Sequence, residues 1–309
     1  MQAKNSATAI GLCAIALWST LALLTAATEG IPPFQLMMMT FAIAALVGLI
    51  SWMFRPGAWK ALLQPWPVWL LGVGGLFGYH AVYFAALRLA PPAEAGLIAY
   101  LWPLLIVIFS ALLPGERLRV FHIFGALLGF AGVVALALGR GGVSVSAASI
   151  PGYLLAFACA FIWSGYSVLS RFFATAPTDS VVGFCLVTAI LAVPFHIAFE
   201  TTVIPTQTSL WLAVFGLGLG PVGLAFYAWD RGVKQGDIRL LGVVSYATPI
   251  LSTSILVIAG YAGATPSLGI ACLLIVVGAL MASQDKLFKQ RDGIDPKNRR
   301  EAASPEKLS

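Results

Sequence analysis

The sequence predicts an all-α integral membrane protein with ten transmembrane helices, arranged as two inverted repeats of five helices each. Composition is the first reason: of 309 residues, 60% are hydrophobic and only 10% are charged, whereas a soluble domain has about 25% charged residues. The second reason is that nine long runs of the chain contain no Asp, Glu, Lys or Arg. The third is that residues of the first half recur at a nearly fixed distance in the second half.

The uncharged runs define the helices one by one. A hydrocarbon core about 30 Å thick needs roughly 20 apolar helical residues, so each run predicts at least one transmembrane helix. In chain order the runs are 5–28, 30–54, 61–87, 95–115, 120–139, 141–170, 180–199, 201–229 and 240–284. The last run contains GYAGATPS at 260–267, whose glycines and proline favour a turn, so it divides into helices 9 and 10.

This division predicts four parts of the chain. Residues 1–139 form a first five-helix repeat, 140–150 a periplasmic linker, and 151–284 a second, inverted five-helix repeat. Residues 285–309 form a charged cytoplasmic tail that is too polar to bury and is expected to be disordered.

The positions of the basic residues predict the orientation, because Lys and Arg concentrate in cytoplasmic loops. With the N-terminus inside, sixteen of the 18 Lys and Arg residues fall on the inner side, and only Arg88 and Arg140 fall outside. Both termini are therefore expected to be cytoplasmic. Since the basic residues are spread over several loops rather than gathered in one stripe, the net charge of +6 does not indicate a nucleic-acid partner.

An internal repeat relates the two halves. Trp18-Ser19 in helix 1 recurs as Trp163-Ser164 in helix 6, at an offset of 145 residues. Helices 4 and 9 share three further pairs at an offset of 146, namely Gly96 with Gly242, Tyr100 with Tyr246, and Pro103 with Pro249. Each half thus has five helices, and because five is odd, the second half must cross the membrane in the opposite orientation, as in many secondary transporters.

Aromatic residues near the middle of several helices are the candidate substrate-binding residues. Trp and Tyr normally gather at the membrane interfaces, and polar groups at the midplane are costly unless they face the bundle interior or a wet cavity. The predicted set is Trp18, Tyr79, His80, Tyr83, Tyr100, Trp102, Trp163 and Tyr246. The alternative for each residue is that it only packs between helices. Tryptophans near helix ends, such as Trp59, fit the interfacial role.

Two prolines predict breaks or hinges within helices 4 and 9. Pro103 cannot donate a hydrogen bond to Ala99, and Pro249 cannot donate one to Ser245, so each is expected to free a backbone carbonyl. Such carbonyls, together with tyrosine hydroxyls, could bind the ammonium group of a zwitterionic substrate. The alternative is a kink that serves packing alone.

Several short motifs carry a resemblance to a known family. PLL at 103–105, PGERLR at 114–119 and GALLGFAGVVAL at 125–136 lie in the same order within two five-helix halves. In these features, over residues 8–284, the chain resembles the EamA-type branch of the drug/metabolite transporter superfamily, and within it the bacterial aromatic amino acid exporters. The resemblance implies an inner-membrane exporter that works by alternating access. It also implies a substrate cavity lined mainly by helices 1, 3, 4, 6, 8 and 9, with helices 5 and 10 peripheral.

Three functions stay open at this point: export of aromatic or large apolar amino acids, export of amphipathic drugs or other metabolites, and catalysis at the membrane. No catalytic triad or phosphate-binding loop appears, and the four cysteines are isolated, without metal-ligand spacing. We therefore expect no enzyme, no cofactor and no metal. The expected partners are a small-molecule substrate and the lipid bilayer, with no obligatory protein partner.

The placement of titratable residues predicts how transport is driven. Glu94 and Asp230 lie towards helix ends, so His80 is the remaining titratable group near the midplane. Proton-driven transporters usually carry such a group at the substrate site. We expect transport down the substrate gradient with His80 as a neutral hydrogen-bonding residue; the alternative makes His80 the proton carrier.

Overall fold

The computed structural model describes residues 2–114, 118–139, 146–260, 263 and 265–282. Within these residues all regular structure is helical. Nine helices in this part of the chain are long and apolar enough to cross a membrane, and a tenth apolar helix is shorter. The prediction of ten helices in a multi-pass membrane protein is confirmed. The charged tail and residues 140–145 of the predicted linker lie outside the described residues.

The helices keep the predicted order, with small shifts at their ends. The apolar spans of helices 1 to 10 are Gln2–Ala26, Pro33–Met53, Trp66–Leu89, Glu94–Leu112, Val120–Gly139, Ala147–Leu169, Ser180–Phe199, Thr208–Gln235, Ile238–Ile258 and Pro266–Ala282, and helix 4 itself begins at Pro92. Helix 8 departs most from its uncharged run, which ends at residue 229, because the helix continues through Asp230 to Gln235. A charged residue therefore lies inside this helix and not at its end.

Three of the ten helices are interrupted. Helix 1 consists of Gln2–Trp18 and Leu21–Ala26, helix 4 of Pro92–Ala99 and Trp102–Phe109 followed by a short 3₁₀ turn, and helix 9 of Ile238–Val244 and Ala247–Ile258. The break in helix 1 was not predicted, since it contains neither Gly nor Pro. Its cause is local: the Ser19 and Thr20 hydroxyls donate to backbone carbonyls three residues earlier, at 2.6 and 2.7 Å, and such bonds compete with the regular helical pattern.

Helices 3 and 8 are irregular in a different way, because each contains one turn of π-helix. The turns are Gly74–Gly78 in helix 3 and Gly220–Leu224 in helix 8. Each residue of the second turn lies 146 positions after its counterpart in the first, which is the repeat offset found in the sequence. π-Turns are rare in proteins as a whole, but those that occur are often at functional sites. Their presence at equivalent positions of both repeats therefore makes helices 3 and 8 candidates for a functional role.

The packing of the helices follows a twofold pattern. Helices 2 and 7, 4 and 9, and 5 and 10 each pack against their own repeat equivalent. Helix 1 packs on helix 8, and the equivalent pair, helix 6 on helix 3, packs in the same way. Glycines allow the closest approach: a Cβ added at Gly11 of helix 1 would lie 3.1 Å from Gly232 Cα of helix 8. The two halves are therefore interleaved around a pseudo-twofold axis, as inverted repeats require.

Candidate substrate site

Four tryptophans from four helices meet at the centre of the bundle. They are Trp18 of helix 1, Trp102 of helix 4, Trp163 of helix 6 and Trp229 of helix 8. All six pairs of rings are in contact, with centroids between 5.0 and 6.4 Å apart. We call these residues the tryptophan cluster. Because each half of the chain supplies two of its members, the cluster lies where the repeats meet.

Two indole groups of the cluster have fixed hydrogen-bond partners. Trp18 Nε1 donates to the Pro221 carbonyl at 3.0 Å, and so joins the break in helix 1 to the π-turn of helix 8. Trp229 Nε1 donates to Ser167 Oγ at 3.0 Å, and both side chains are fully buried. A buried indole N–H usually finds such a partner. These bonds fix the orientation of the two rings in this conformation.

The tyrosines of helix 3 extend the cluster on one side. Tyr79 and Tyr83 are one helical turn apart, and their rings are stacked with centroids 5.9 Å apart. Tyr79 also contacts Trp163, at a centroid distance of 5.6 Å. Both tyrosines keep part of their surface accessible, whereas Trp102 and Trp163 are buried. Helix 3 therefore places two hydroxyl groups and two ring faces next to the tryptophans.

The His80 side chain has aromatic neighbours that the two tyrosines do not share. Its Nδ1 lies 2.7 Å from the Leu76 carbonyl, which can only accept, so Nδ1 carries a proton and donates. The imidazole ring contacts Phe41 and Phe226 at centroid distances of 5.2 and 6.2 Å. The rings of Tyr79 and His80 still touch, with centroids 5.4 Å apart, but Tyr79 faces helix 6 whereas the histidine faces helices 2 and 8.

The break in helix 4 separates two of the predicted site residues. Trp102 follows the break and enters the tryptophan cluster, while Tyr100 lies within the break and is half-buried at the edge of a second apolar cluster. Tyr83 reaches helix 4 one turn before Tyr100, since a Cβ added at Gly96 would lie 3.5 Å from the Tyr83 hydroxyl. Residues two positions apart point about 200° apart even in a regular helix, so Tyr100 and Trp102 serve different surfaces.

Tyr246 is not brought to the tryptophan cluster. It is fully buried in the second apolar cluster, where its ring contacts Phe130 of helix 5 at 6.3 Å. Its hydroxyl accepts a hydrogen bond of 3.1 Å from the backbone N–H of Leu104, just after the break in helix 4. In this conformation Tyr246 supports the interrupted backbone of helix 4, the helix that carries its repeat equivalent, Tyr100.

The free carbonyl predicted at Ser245 is not found. The Ser245 carbonyl accepts a hydrogen bond of 3.1 Å from the backbone N–H of Thr248. The chain tightens into a three-residue turn before Pro249, and the turn uses the acceptor that the proline would otherwise release. The Ser245 carbonyl is therefore occupied and does not await a substrate ammonium group.

Two aromatic residues of this region were missed in the sequence. Trp229 belongs to the tryptophan cluster, and Phe226 contacts Trp18, Trp163 and His80 at centroid distances of 5.8 to 6.2 Å. The repeat offset could have found both, because Trp229 and Phe226 lie 146 positions after Tyr83 and His80. His80 and Tyr83 therefore have aromatic counterparts in helix 8, whereas the counterpart of Tyr79 is Ala225.

The remaining tryptophans lie away from the centre. Trp59 and Trp66 are 55% and 73% exposed, as expected at a membrane interface, and Trp211 is 40% exposed. In the part of the chain that the structure describes, no group of three or more His, Cys, Asp or Glu side chains is placed to hold a metal ion.

Comparison with known proteins places this arrangement among transporters. The EamA-like transporter family matches the chain twice, over residues 5–138 and 150–284. The chain is 59% identical to a protein of Ancylobacter novellus named aromatic amino acid exporter YddG, over 91% of this chain and 98% of that protein. It is 29% identical to the protein of the same name from Escherichia coli, over 90% of this chain and 97% of that protein. A solved crystal structure is 58% identical, with a TM-score of 0.89, over 93% of this chain and 99% of its own length.

Proposed function

Because this chain belongs to the EamA-like transporter family, we propose that it exports aromatic amino acids by alternating access across a bacterial inner membrane. The family match covers both halves of the chain. The relative from Ancylobacter novellus, which carries the name of aromatic amino acid exporter, is 59% identical over 91% of the chain. The proposed orientation has both termini in the cytoplasm, as the distribution of basic residues predicts.

The tryptophan cluster is the observation that supports this substrate class. Aromatic rings attract one another in stacked or edge-to-face arrangements, which contribute about 0.5 to 1.5 kcal/mol per pair beyond the burial of surface. Trp18, Trp102 and Trp163 offer such faces at the meeting point of the halves, and Tyr79 and Tyr83 stack beside them. A Phe, Tyr or Trp substrate would exchange these internal contacts for equivalent contacts with its own ring.

The irregular helices supply the places where the bundle can bend. Helices 1, 4 and 9 are interrupted, and helices 3 and 8 carry π-turns. Four of these five irregularities form repeat-equivalent pairs, helices 3 with 8 and helices 4 with 9. We propose that bending at these pairs opens one side of the bundle while it closes the other, with Pro103 and Pro249 fixing the hinges in helices 4 and 9.

The proposed substrate-contacting set differs from the predicted one at two positions on each side. Trp18, Tyr79, Tyr83, Tyr100, Trp102 and Trp163 are retained, and Trp229 and Phe226 are added. His80 is proposed to stay neutral and to donate to the Leu76 carbonyl, so that transport runs down the substrate gradient without proton exchange. Tyr246 is proposed to support helix 4 and not to contact substrate, because its hydroxyl binds the Leu104 backbone.

Transport of labelled Phe by proteoliposomes tests the proposal. Tyr79→Ala and Tyr83→Ala should each weaken transport by a few-fold to about tenfold, because each removes a ring that can stack on substrate. These partly accessible tyrosines are preferred to Trp102 and Trp163, whose truncation to Ala would also cost about 3–5 kcal/mol of stability. Trp59→Ala, at a residue that is 55% exposed, is the matched control and should transport normally.

Competition by unlabelled compounds distinguishes the substrate classes. Excess Phe, Tyr and Trp should block labelled transport, whereas Ala and Glu should not. Competition by amphipathic cations alone, with no effect of the aromatic amino acids, would overturn the proposal in favour of a drug exporter. Normal transport by both tyrosine variants would place the substrate site elsewhere in the bundle.

A further inference from the structure

An ion pair is buried within helix 8, directly beside the tryptophan cluster. Asp230 follows Trp229 in the chain, and its Oδ1 lies 2.9 Å from Lys234 Nζ, one turn later. The two side chains are only 1% and 5% exposed. Charged groups inside a membrane protein are costly, and where they occur they commonly mark substrate or ion pathways.

The pair is held by the segment that joins helices 6 and 7. The Thr178 hydroxyl donates to Asp230 Oδ2 at 2.8 Å, and Lys234 Nζ donates to the Ala176 carbonyl at 3.1 Å. An ammonium group has three N–H donors, and these contacts use two of them for Asp230 and Ala176. The two charged groups therefore bind each other and the segment between helices 6 and 7. Because this segment lies outside both helices, its movement would not require either helix to unfold.

A narrow cavity opens next to the pair. Its volume is about 10 Å³, close to the space that one water molecule needs, and its walls come from helices 3, 6, 7 and 8 and from the segment that joins helices 6 and 7. Asp230 and Lys234 supply the charges of the lining, while Tyr166, Phe173 and Phe184 supply aromatic rings. This is an amphipathic lining, with one positive group, one negative group and several ring faces.

Tyr166 connects this cavity to the tryptophan cluster. Its ring lies 5.2 Å from that of Trp163, between centroids. Its hydroxyl is buried and, among the described residues, has no hydrogen-bond partner. A buried hydroxyl without a partner is unfavourable, so this group is available to a ligand that enters the cavity.

Helix packing alone does not require the pair. At the equivalent positions of the first repeat, 146 residues earlier, the chain has Phe84 and Arg88. Phe84 packs on Phe34 at a centroid distance of 5.4 Å, and Arg88 is exposed. The same helix position is thus filled by an apolar ring in one repeat and by a buried carboxylate in the other. Since buried ion pairs are often no more stabilising than apolar residues of similar size, the charges of helix 8 call for another role.

We propose that Asp230, Lys234 and Tyr166 bind the charged end of a zwitterionic amino acid on the proposed cytoplasmic side of the tryptophan cluster. The substrate ammonium group replaces Lys234 at the Asp230 carboxylate. The substrate carboxylate accepts hydrogen bonds from Lys234 and from the Tyr166 hydroxyl. Every buried charge keeps an opposite partner during this exchange. Because the cavity of this conformation has room for about one water molecule, the exchange requires the segment between helices 6 and 7 to move away from the pair. The inference rests on the proposed function, since it names the part of the substrate that this site recognises.

Binding of three related compounds to the purified full-length protein tests the assignment. They are Phe, 3-phenylpropanoate, which lacks the ammonium group, and phenethylamine, which lacks the carboxylate. Asp230→Asn should weaken Phe binding by about tenfold or more, because a charge-assisted bond to the ammonium group is lost, and should leave binding of 3-phenylpropanoate at least as strong as in the wild type. Lys234→Met should show the reverse selectivity, with phenethylamine unaffected.

Matched variants separate recognition from structural damage. Asp179→Asn changes an ion pair with Arg55 in which the two side chains are 28% and 51% exposed, and should not alter binding of any of the three compounds. If a single variant does not fold, the double variant Asp230→Asn/Lys234→Met leaves no unpaired buried charge and should lose the preference for Phe over both analogues. Tyr166→Phe keeps the ring and should weaken binding of Phe and 3-phenylpropanoate but not of phenethylamine.

The outcomes have distinct meanings. An equal loss of affinity for all three compounds, or an unchanged preference for Phe in the double variant, would show that the pair is structural and overturn the inference while the exporter function stands. Failure of the wild type to bind any aromatic amino acid would overturn the proposed function, and the inference with it.

Discussion

The hydrogen bond between Trp229 and Ser167 offers a sharp test of the tryptophan cluster. Trp229 Nε1 donates to Ser167 Oγ at 3.0 Å, and neither side chain is exposed. Ser167→Ala leaves the indole N–H buried without an acceptor, which costs about 1–3 kcal/mol. Trp229→Phe keeps an aromatic ring among the other three tryptophans but removes the donor, so Ser167 is no longer needed as an acceptor.

The two substitutions should therefore be strongly non-additive. In the Trp229→Phe background, Ser167→Ala removes only the bond of 2.8 Å that the serine hydroxyl donates to the Trp163 carbonyl within helix 6. We expect it to cost about 0.5 kcal/mol there, at the lower end for a hydrogen bond. The coupling free energy between the two positions is then about 1 kcal/mol or more, measured from the denaturant dependence of unfolding in detergent for the four proteins of the cycle.

Ser164 provides the matched control for this cycle. It lies on the same helix, is fully buried, and donates to the Ala160 carbonyl at 2.7 Å. Because Ser164 does not bind the indole, Ser164→Ala and Trp229→Phe should be additive within about 0.3–0.5 kcal/mol. Additivity of Ser167→Ala with Trp229→Phe, to the same tolerance, would refute the bond and the ring orientation that depends on it.

Three further predictions concern topology, energy coupling and helix 4. A cysteine in place of Ser146 should react with a membrane-impermeant maleimide in intact cells; reaction only after permeabilisation would reverse the orientation. His80→Gln should still transport labelled Phe in proteoliposomes at equal pH and zero potential, whereas uptake against a gradient that is driven by an imposed pH difference and abolished by this substitution would make His80 the proton carrier. Tyr246→Phe leaves the Leu104 N–H without its hydroxyl partner and should lower the free energy of unfolding by about 1–3 kcal/mol with the KM for Phe unchanged; a raised KM at unchanged stability would return Tyr246 to the substrate site.

The helices could be predicted from the sequence because the bilayer imposes one simple requirement. Every spanning segment must be apolar and about 20 residues long, and uncharged runs report that directly. The inverted arrangement followed from an odd number of helices per repeat, and from pairs such as Trp18 with Trp163. The number and orientation of the helices depend only on the lengths of the apolar runs and on their order along the chain, and both can be read directly from the sequence.

Two of the misses have a common physical origin in helix 8. The uncharged run ends at Trp229, and this boundary predicts that Asp230 lies towards the end of the helix. The helix in fact continues to Gln235, because Lys234 lies one turn after Asp230 and neutralises it inside the bundle. A boundary set by single charges cannot detect a pair of charges that bury each other, and so both the fourth tryptophan and the charged cavity were missed.

The irregular backbone could be predicted from the sequence only in part. Pro103 and Pro249 predicted the interruptions of helices 4 and 9, but the π-turns at Gly74–Gly78 and Gly220–Leu224 were not predicted, although both segments are rich in Gly and the second contains Pro221. Each π-turn instead has a carbonyl bound by a side chain, Leu76 by His80 and Pro221 by Trp18. The first bond lies within helix 3, and the second joins helix 1 to helix 8. The second forms only when the two helices pack together, so it cannot be found from the sequence of either helix alone.

The two repeats share the proposed hinges in helices 3 and 8 and in helices 4 and 9, but the side chains beside these hinges differ. We expect this difference to affect the two open states of the transporter unequally. Near the tryptophan cluster, helix 3 carries tyrosine hydroxyls, whereas helix 8 carries the Asp230–Lys234 ion pair. In a symmetric bundle the inward- and outward-open states would have equal energies. We propose that the ion pair, because it binds the segment between helices 6 and 7, stabilises the state in which the proposed cytoplasmic side of the bundle is closed. Such a bias sets the populations of the two states but cannot by itself drive net transport, because a substrate shifts an equilibrium only through its different affinities for the two states. We propose that no ion is coupled to transport, so that the substrate gradient fixes the direction of flux, and that the Asp230–Lys234 pair favours closure of the empty transporter on the proposed cytoplasmic side.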